Sequence, residues 1–398
     1  MPVAAGAKRR TLPRAGMQGR SNARPILRRA LGRGAVARRG RWAVVPIVFL
    51  LLAVACRGRG RPAPAPTPRL TPGPTPSPTL GPIPSPGASA APSPTGETAK
   101  PGEPCGAERR EAQGAAYPPP RDRHVLVIVF ENHAFDQIIA NPDAAYFNEL
   151  ARLCGLATDY HAITHPSLPN YIALVSGGLN GITTNCTECH TGAPSLADQL
   201  EAASLTWKTY AEAMPEPCFS GAGAPRYVKR HNPFLYFDSV RGNPSRCRRS
   251  VVPLTELGQD LARGQVPNFS LIVPDMCHNM HDCKVADGDA WLRSFLPTIL
   301  GSRAYQQGAI VVVTFDEGSA KSNQITTFVL TPGMRRGSRC GQHQDHYSML
   351  RTIEDLFGLP PLGAAALRSS MLRCFVDAEG RSLKPDDMGL PEPSPRPS

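Results

Sequence analysis

Val125 to Phe130 reads VLVIVF, and the next two residues are Glu131 and Asn132. A run of apolar, mostly β-branched residues has no polar face, so as a strand it must be covered on both sides, as in a parallel sheet between helical layers. The carboxylate and amide then fall at the strand's C-terminal edge, where open α/β sheets hold their ligands. About thirty residues later, Thr164 to Gly177 reads THPSLPNYIALVSG. Here a hydroxyl, an imidazole and a second hydroxyl precede Pro169 and a helix-compatible run. Together the two stretches predict a site where a metal, a nucleophile and a helix N-terminus meet.

The same alternation continues downstream. Strands are predicted at Val125 to Phe130, Thr206 to Tyr210, Phe269 to Val273, Ala309 to Phe315 and Thr326 to Leu330. Helices are predicted at Ala144 to Arg152, Leu168 to Val175, Ser195 to Ala203, Ala290 to Leu300 and Ser348 to Phe357. Strands alternating with amphipathic helices give an α/β fold, with a mostly parallel sheet covered on both faces. Neither an internal repeat nor a glycine-rich nucleotide fingerprint of the Rossmann or P-loop type is present.

Composition divides the chain into residues 1–56, 57–120, 121–376 and 377–398. Residues 1–41 carry twelve of the 44 Lys and Arg and no acid, so the remainder balances at 32 basic and 32 acidic residues. The basic excess therefore belongs to an export leader, and no nucleic-acid partner is expected. The apolar run at residues 43–55 (AVVPIVFLLLAVA) is short for a membrane span and suits a signal-peptide core. It ends in Ala55-Cys56, which resembles a bacterial lipobox, with Ala53 standing where Leu is usual. Lipidation of Cys56 or a retained signal would anchor the chain to a membrane; ordinary cleavage would release it. Residues 57–120, with PAPAPTP and TPGPTPSPT, form a polyproline-like tether, and residues 377–398 a frayed tail. Ten cysteines remain beside Cys56, an even number that suits disulfides in an exported chain, and Cys186 with Cys189 is read as a disulfide before a metal knuckle.

Three strand ends carry candidate chemistry: Glu131-Asn132, Asp316-Glu317, and the PDMCHNMHD stretch holding Asp275, His278, His281 and Asp282. Carboxylates converging on one sheet edge need a cation or shared protons. His343 and His346, flanking Asp345, add imidazoles that suit a divalent transition metal better than magnesium or calcium alone. Ser167, just before Leu168-Pro169, is predicted as a helix N-cap. Beside a metal, the same hydroxyl is an activated nucleophile, with the attacked phosphate held by free backbone N–H groups and by Asn170. Thr164 and His165 are close enough to be the nucleophile or its partner, and spacing leaves that choice open.

FENHAFDQII, THPSLPNYIALVSG, TFDEG and DHYSMLRTIEDLFGL, in this order, resemble the bacterial phosphoesterase family of secreted acid phosphatases and phospholipases C, within the alkaline-phosphatase superfamily. The resemblance implies an alkaline-phosphatase-like three-layer α/β/α sandwich. It also implies Glu131 and Asn132 as metal and phosphate contacts, Asp316, Glu317, His281, Asp282 and His346 as further metal-site residues, and Ser167 as nucleophile with Thr164 as the fallback. Divalent metal is the implied cofactor, whether zinc, calcium or another ion. Phosphomonoesters, including phosphoinositides or other phospholipids, are the implied substrates. The rival readings are a phospholipase C acting on diesters and a non-catalytic surface lipoprotein. A sulfatase is disfavoured because no C-x-P-x-R or S-x-P-x-R context is present.

Overall fold

The computed structural model describes Cys105 and residues 119–375 apart from position 333. The expectations for the basic leader, Cys56, nearly all of the Pro-rich tether and the tail lie outside these residues.

Eight strands form the main sheet: β1 (Val125–Phe130), β2 (Gly155–Ala157), β3 (Trp207–Ala211), β4 (Val251–Pro253), β5 (Phe269–Val273), β6 (Ile310–Phe315), β7 (Thr327–Leu330) and β8 (Arg339–Cys340). Their spatial order is β8-β2-β7-β6-β1-β5-β3-β4. From β6 to β4 all neighbours are parallel, and β1 sits between β5 and β6 with Val125 opposite Phe269 and Ile310. Every residue of β1 is buried, as an apolar run without a polar face requires. β7 was expected as one more sheet strand, and it runs antiparallel to both neighbours. No helix separates it from β6, and a connection that short closes an antiparallel pair more readily than a crossover.

Helices cover both faces. Phe130 at the end of β1 meets Phe147 on the helix Ala145–Leu153 and Trp291 on the helix Val285–Leu300. Glu131, next in sequence, meets the helix Ser167–Ser176, which packs on the helix His346–Phe357. This three-layer α/β/α arrangement is the expected fold, with most predicted elements within one or two residues of their observed ends. The Val285 helix is the exception, starting five residues before the predicted Ala290. Gly288 stands in its first turns, where a Cβ would lie 2.5 Å from the Met280 side chain. The glycine lets the helix close on the Cys277–Cys283 loop.

Ten cysteines form five disulfides: Cys105–Cys154, Cys186–Cys189, Cys218–Cys247, Cys277–Cys283 and Cys340–Cys374. Cys186–Cys189 is thus a disulfide, as expected. Cys105 falls inside the stretch read as tether, but it is buried and bonded to Cys154 at the end of a domain helix.

Candidate active site

β1 and β6 are adjacent and in register, with Phe130 opposite Phe315, so their polar continuations Glu131-Asn132 and Asp316-Glu317 emerge side by side. Asn132 takes a positive φ of 47°, a region Asn tolerates better than most residues. There its N–H donates to Asp316 Oδ1 at 3.1 Å, and the Glu317 N–H donates to the same oxygen at 2.6 Å. Its side chain belongs to an exposed residue, whereas Glu131, Asp316 and Glu317 are buried.

Ser167 lies against these carboxylates. It is the first residue of its helix and Pro166 occupies the N-cap position, so the predicted capping role is not what the hydroxyl does. Instead Ser167 Oγ is 3.1 Å from Glu131 Oε2 and 3.3 Å from Glu317 Oε1. One hydroxyl proton serves one acceptor fully, so two carboxylates around it call for a second proton or a cation. The expected ring of free helix N–H groups is also reduced: Leu168 N–H is taken by Asn185 Oδ1 at 3.0 Å, and Pro169, third in the helix, has none. At the other end, Gly177 ends the helix at φ 71°, where a Cβ would lie 2.1 Å from the Leu362 carbonyl oxygen.

His231 completes the pocket and was missed in the sequence. It sits in a short 3₁₀ turn, Lys229–His231, with its ring stacked on Tyr171 at 5.3 Å between centroids. Tyr171 donates to Glu131 Oε1 at 3.0 Å, and His231 Nε2 lies 2.9 Å from the same oxygen without hydrogen-bond alignment. The only sequence signal was a charged run, KRHN, before an apolar stretch, and the strand it follows, Tyr227–Val228, is only two residues long and belongs to a small hairpin outside the main sheet.

Burial, followed by neighbouring carboxylates, pushes the Asp316 carboxyl well up from its ordinary value. Burial likewise raises Glu131 to about 7 and lowers His231 to about 3. The pocket therefore gathers three carboxylates around an imidazole that stays neutral near pH 7. Asp316 Oδ2 and His231 Nε2 are buried with no hydrogen-bond partner among the described residues. The Asp316 and Glu131 carboxyls also reach each other, so a shared proton or a divalent ion would relieve their repulsion, and with Glu317 and His231 they supply the oxygen and nitrogen donor types such an ion takes.

Of the other expected residues, His165 reaches a carboxylate of this set and the rest do not. Thr164 turns its hydroxyl to the His165 carbonyl at 3.2 Å. His165, half exposed, sets Nδ1 2.5 Å from Glu317 Oε2. Asn170 was expected to bind substrate, but its Oδ1 accepts from Ile163 N and Thr164 N and its Nδ2 donates to the Thr164 and Pro166 carbonyls. The amide is saturated by the loop before Ser167 and holds that loop. His346, an expected ligand, has Nε2 2.6 Å from the Asp316 carbonyl and Nδ1 3.1 Å from the Tyr160 hydroxyl. With both nitrogens engaged, it buttresses the end of β6. His281 stands at the mouth with Nε2 3.4 Å from Arg230 Nη2, and Asp282, largely exposed, takes its Nδ1 at 2.7 Å. Asp275 and His278 form a separate cluster with Glu212, and His343 pairs with Asp159.

Residues 140–360, more than half of the chain, match the model of the phosphoesterase family. The chain belongs to the phosphoesterase family. The matched span contains Ser167, His231, Asp316, Glu317 and His346, with Glu131 and Asn132 just ahead of it. This phosphoesterase-family chain is 33% identical to the phosphatidylinositol-3-phosphatase of Mycobacterium tuberculosis over 62% of its own length and 80% of that protein. It is 30% identical to an acid phosphatase of Aspergillus fumigatus over 56% of its length, spanning about half (53%) of that relative. Among solved structures it is similar to a protein in the alkaline phosphatase superfamily from Vibrio parahaemolyticus, with a TM-score of 0.48 and 13% identity over 67% of this chain and 74% of that one.

Proposed function

We propose that this chain is a metal-dependent phosphomonoesterase whose nucleophile is Ser167. The observation that carries the reading is the Ser167 hydroxyl between Glu131 Oε2 and Glu317 Oε1, next to the unpartnered Asp316 Oδ2 and His231 Nε2. A divalent ion held by Glu131, Asp316, Glu317 and His231 would supply charge stabilisation for the phosphoryl oxygens and favour the serine alkoxide.

The chain's own groups then act in order. Glu131 Oε2, 3.1 Å from Ser167 Oγ, accepts the Ser167 proton as the Oγ–P bond forms. The bond from phosphorus to the substrate's alcohol oxygen breaks, and that oxygen takes a proton from His281 or His165 at the mouth. Asn132 at its strand end faces the equatorial oxygens. Water then attacks the phosphoserine, its oxygen bonding to phosphorus as it gives a proton to the histidine that served the alcohol, while the P–Oγ bond breaks and Ser167 Oγ takes back its proton from Glu131, which frees inorganic phosphate.

Phosphoinositides are a substrate class consistent with the named relatives, and the mature chain is proposed to work outside the cytoplasm, where five disulfides persist. Lipidation at Cys56 would hold it at a membrane surface. A panel of a soluble phosphomonoester, a phosphoinositide and phosphatidylcholine, each with and without chelation, tests the reading. Monoester turnover that chelation abolishes is expected; turnover confined to phosphatidylcholine would make the enzyme a phospholipase C.

A further inference from the structure

Away from the carboxylate pocket, a two-stranded parallel ribbon joins Tyr160–His161 to Gln344–Asp345, with Tyr160 opposite Gln344. That register sets Asp159 beside His343, and strand alternation brings His161 to the same face as Asp159. His161 Nε2 lies 2.8 Å from Asp159 Oδ1, His343 Nδ1 lies 3.4 Å from Asp159 Oδ2, and the two imidazole rings are 5.0 Å apart.

The His161 ring is oriented as a metal ligand would be. His161 Nδ1 is 2.7 Å from the Ser322 carbonyl oxygen, which can only accept, so Nδ1 carries the proton. The other nitrogen, Nε2, faces the Asp159 carboxylate, a contact met by a second ring proton or by a cation between the two groups. An imidazole that donates one N–H to a backbone carbonyl and offers its other nitrogen beside a carboxylate has the orientation of a metal-ligating histidine. Zinc bonds of about 2.0–2.1 Å place tetrahedral donors about 3.3 Å apart; each histidine has one Asp159 oxygen near that separation, His161 Nε2 at 2.8 Å from Oδ1 and His343 Nδ1 at 3.4 Å from Oδ2. All three donor groups lie within 4.8 Å of one another and are partly or fully exposed, so water can fill the remaining positions.

Two other groupings lack these properties. Asp275, in the Glu212–Asp275–His278 set, already pairs with Arg226 at 3.3 Å, and the thiols of Cys277 and Cys283 are joined to each other.

We propose that Asp159, His161 and His343 bind a divalent transition-metal ion of the zinc class, separate from the catalytic pocket. The ion would clasp the ribbon. One strand runs through Ala162 to Pro166 into Ser167, and the other runs directly into His346 behind Asp316. Occupancy therefore stabilises both entrances to the pocket without touching the reacting atoms.

The test uses the full chain, stripped by chelation and reloaded with Zn²⁺ or Co²⁺. Wild type should retain about one ion per chain more than His343→Ala or His161→Ala, and its melting temperature should rise further on zinc addition. With Co²⁺, one component of the visible absorption should vanish in both variants. His190→Ala, which removes a different surface His–Asp pair, should keep the wild-type count. His343 is well exposed, so its alanine variant folds and the comparison is informative. Equal ion content and equal zinc-induced melting shifts in wild type and His343→Ala would overturn the proposal.

Discussion

Replacing Asn170 with alanine separates a loop clamp from a substrate contact. The buried amide makes four hydrogen bonds to the backbone of Ile163, Thr164 and Pro166, at 2.8 to 3.2 Å. Each such bond contributes about 0.5–1.5 kcal/mol net. Part of that loop is open to water, which can satisfy some of the freed groups, so a loss of about 2–4 kcal/mol is expected. For a domain of this size that corresponds to a melting point lower by roughly 5–15 °C. The loosened loop delivers Ser167, so kcat should fall about ten- to a hundred-fold while KM changes little, since misplacing a nucleophile by about 1 Å costs that order of rate. Asn170→Asp should rescue only part: it keeps the acceptor for two N–H groups but sets a carboxylate oxygen against two carbonyls. Thermal melts and steady-state kinetics on a soluble phosphomonoester measure both quantities. An Asn170→Ala protein with unchanged melting point and a raised KM would refute the clamp and restore the substrate contact.

Other outcomes follow from the same physical reasoning. Glu354 is fully buried and accepts from Leu362 N–H on one oxygen, with the Gln199 side chain beside the carboxyl; burial raises it to about 7. An acid raised on folding contributes stability below its unfolded pKa and loses it as pH rises through the folded value. Wild type should therefore weaken between about pH 5 and about pH 8, and Glu354→Gln should flatten denaturant-measured stability by up to ~3 kcal/mol over that window. Opening Cys105–Cys154, whose half-cystines are 49 residues apart, should cost up to about 4 kcal/mol in a paired Cys→Ser variant, read by denaturant titration. Tyr171→Phe removes the 3.0 Å bond to Glu131 and should weaken metal retention several-fold, measured by chelator competition.

The parts of the pocket written contiguously were legible. Glu131-Asn132 and Asp316-Glu317 directly follow apolar strands, so a pattern of burial followed by abrupt polarity located them. The helix at Ser167 was legible too, but its first residue and its cap differ by a single position that only backbone angles resolve. His231 was hidden because a 3₁₀ turn has no hydrophobic period and its charged neighbours read as surface. Asn170 and His346 were placed in the correct region but given the wrong partners, since an amide or imidazole looks the same in sequence whether it faces substrate or backbone. β7's reversed direction was readable in principle, because the predicted strands at 309–315 and 326–330 have no helix between them and so short a connection does not make a parallel crossover. Of the disulfides, only the Cys186–Cys189 pair was read; Cys277–Cys283 also closes a local loop, and the other three depend on tertiary approach.

Ser167 as the attacking group is the claim on which the account turns. Rapid acid quenching during turnover of a phosphomonoester, followed by peptide mass analysis, should find phosphate on Ser167 and none in folded, inactive Ser167→Ala. Phosphate on Thr164 or on a histidine, or undiminished turnover by Ser167→Ala, would contradict it.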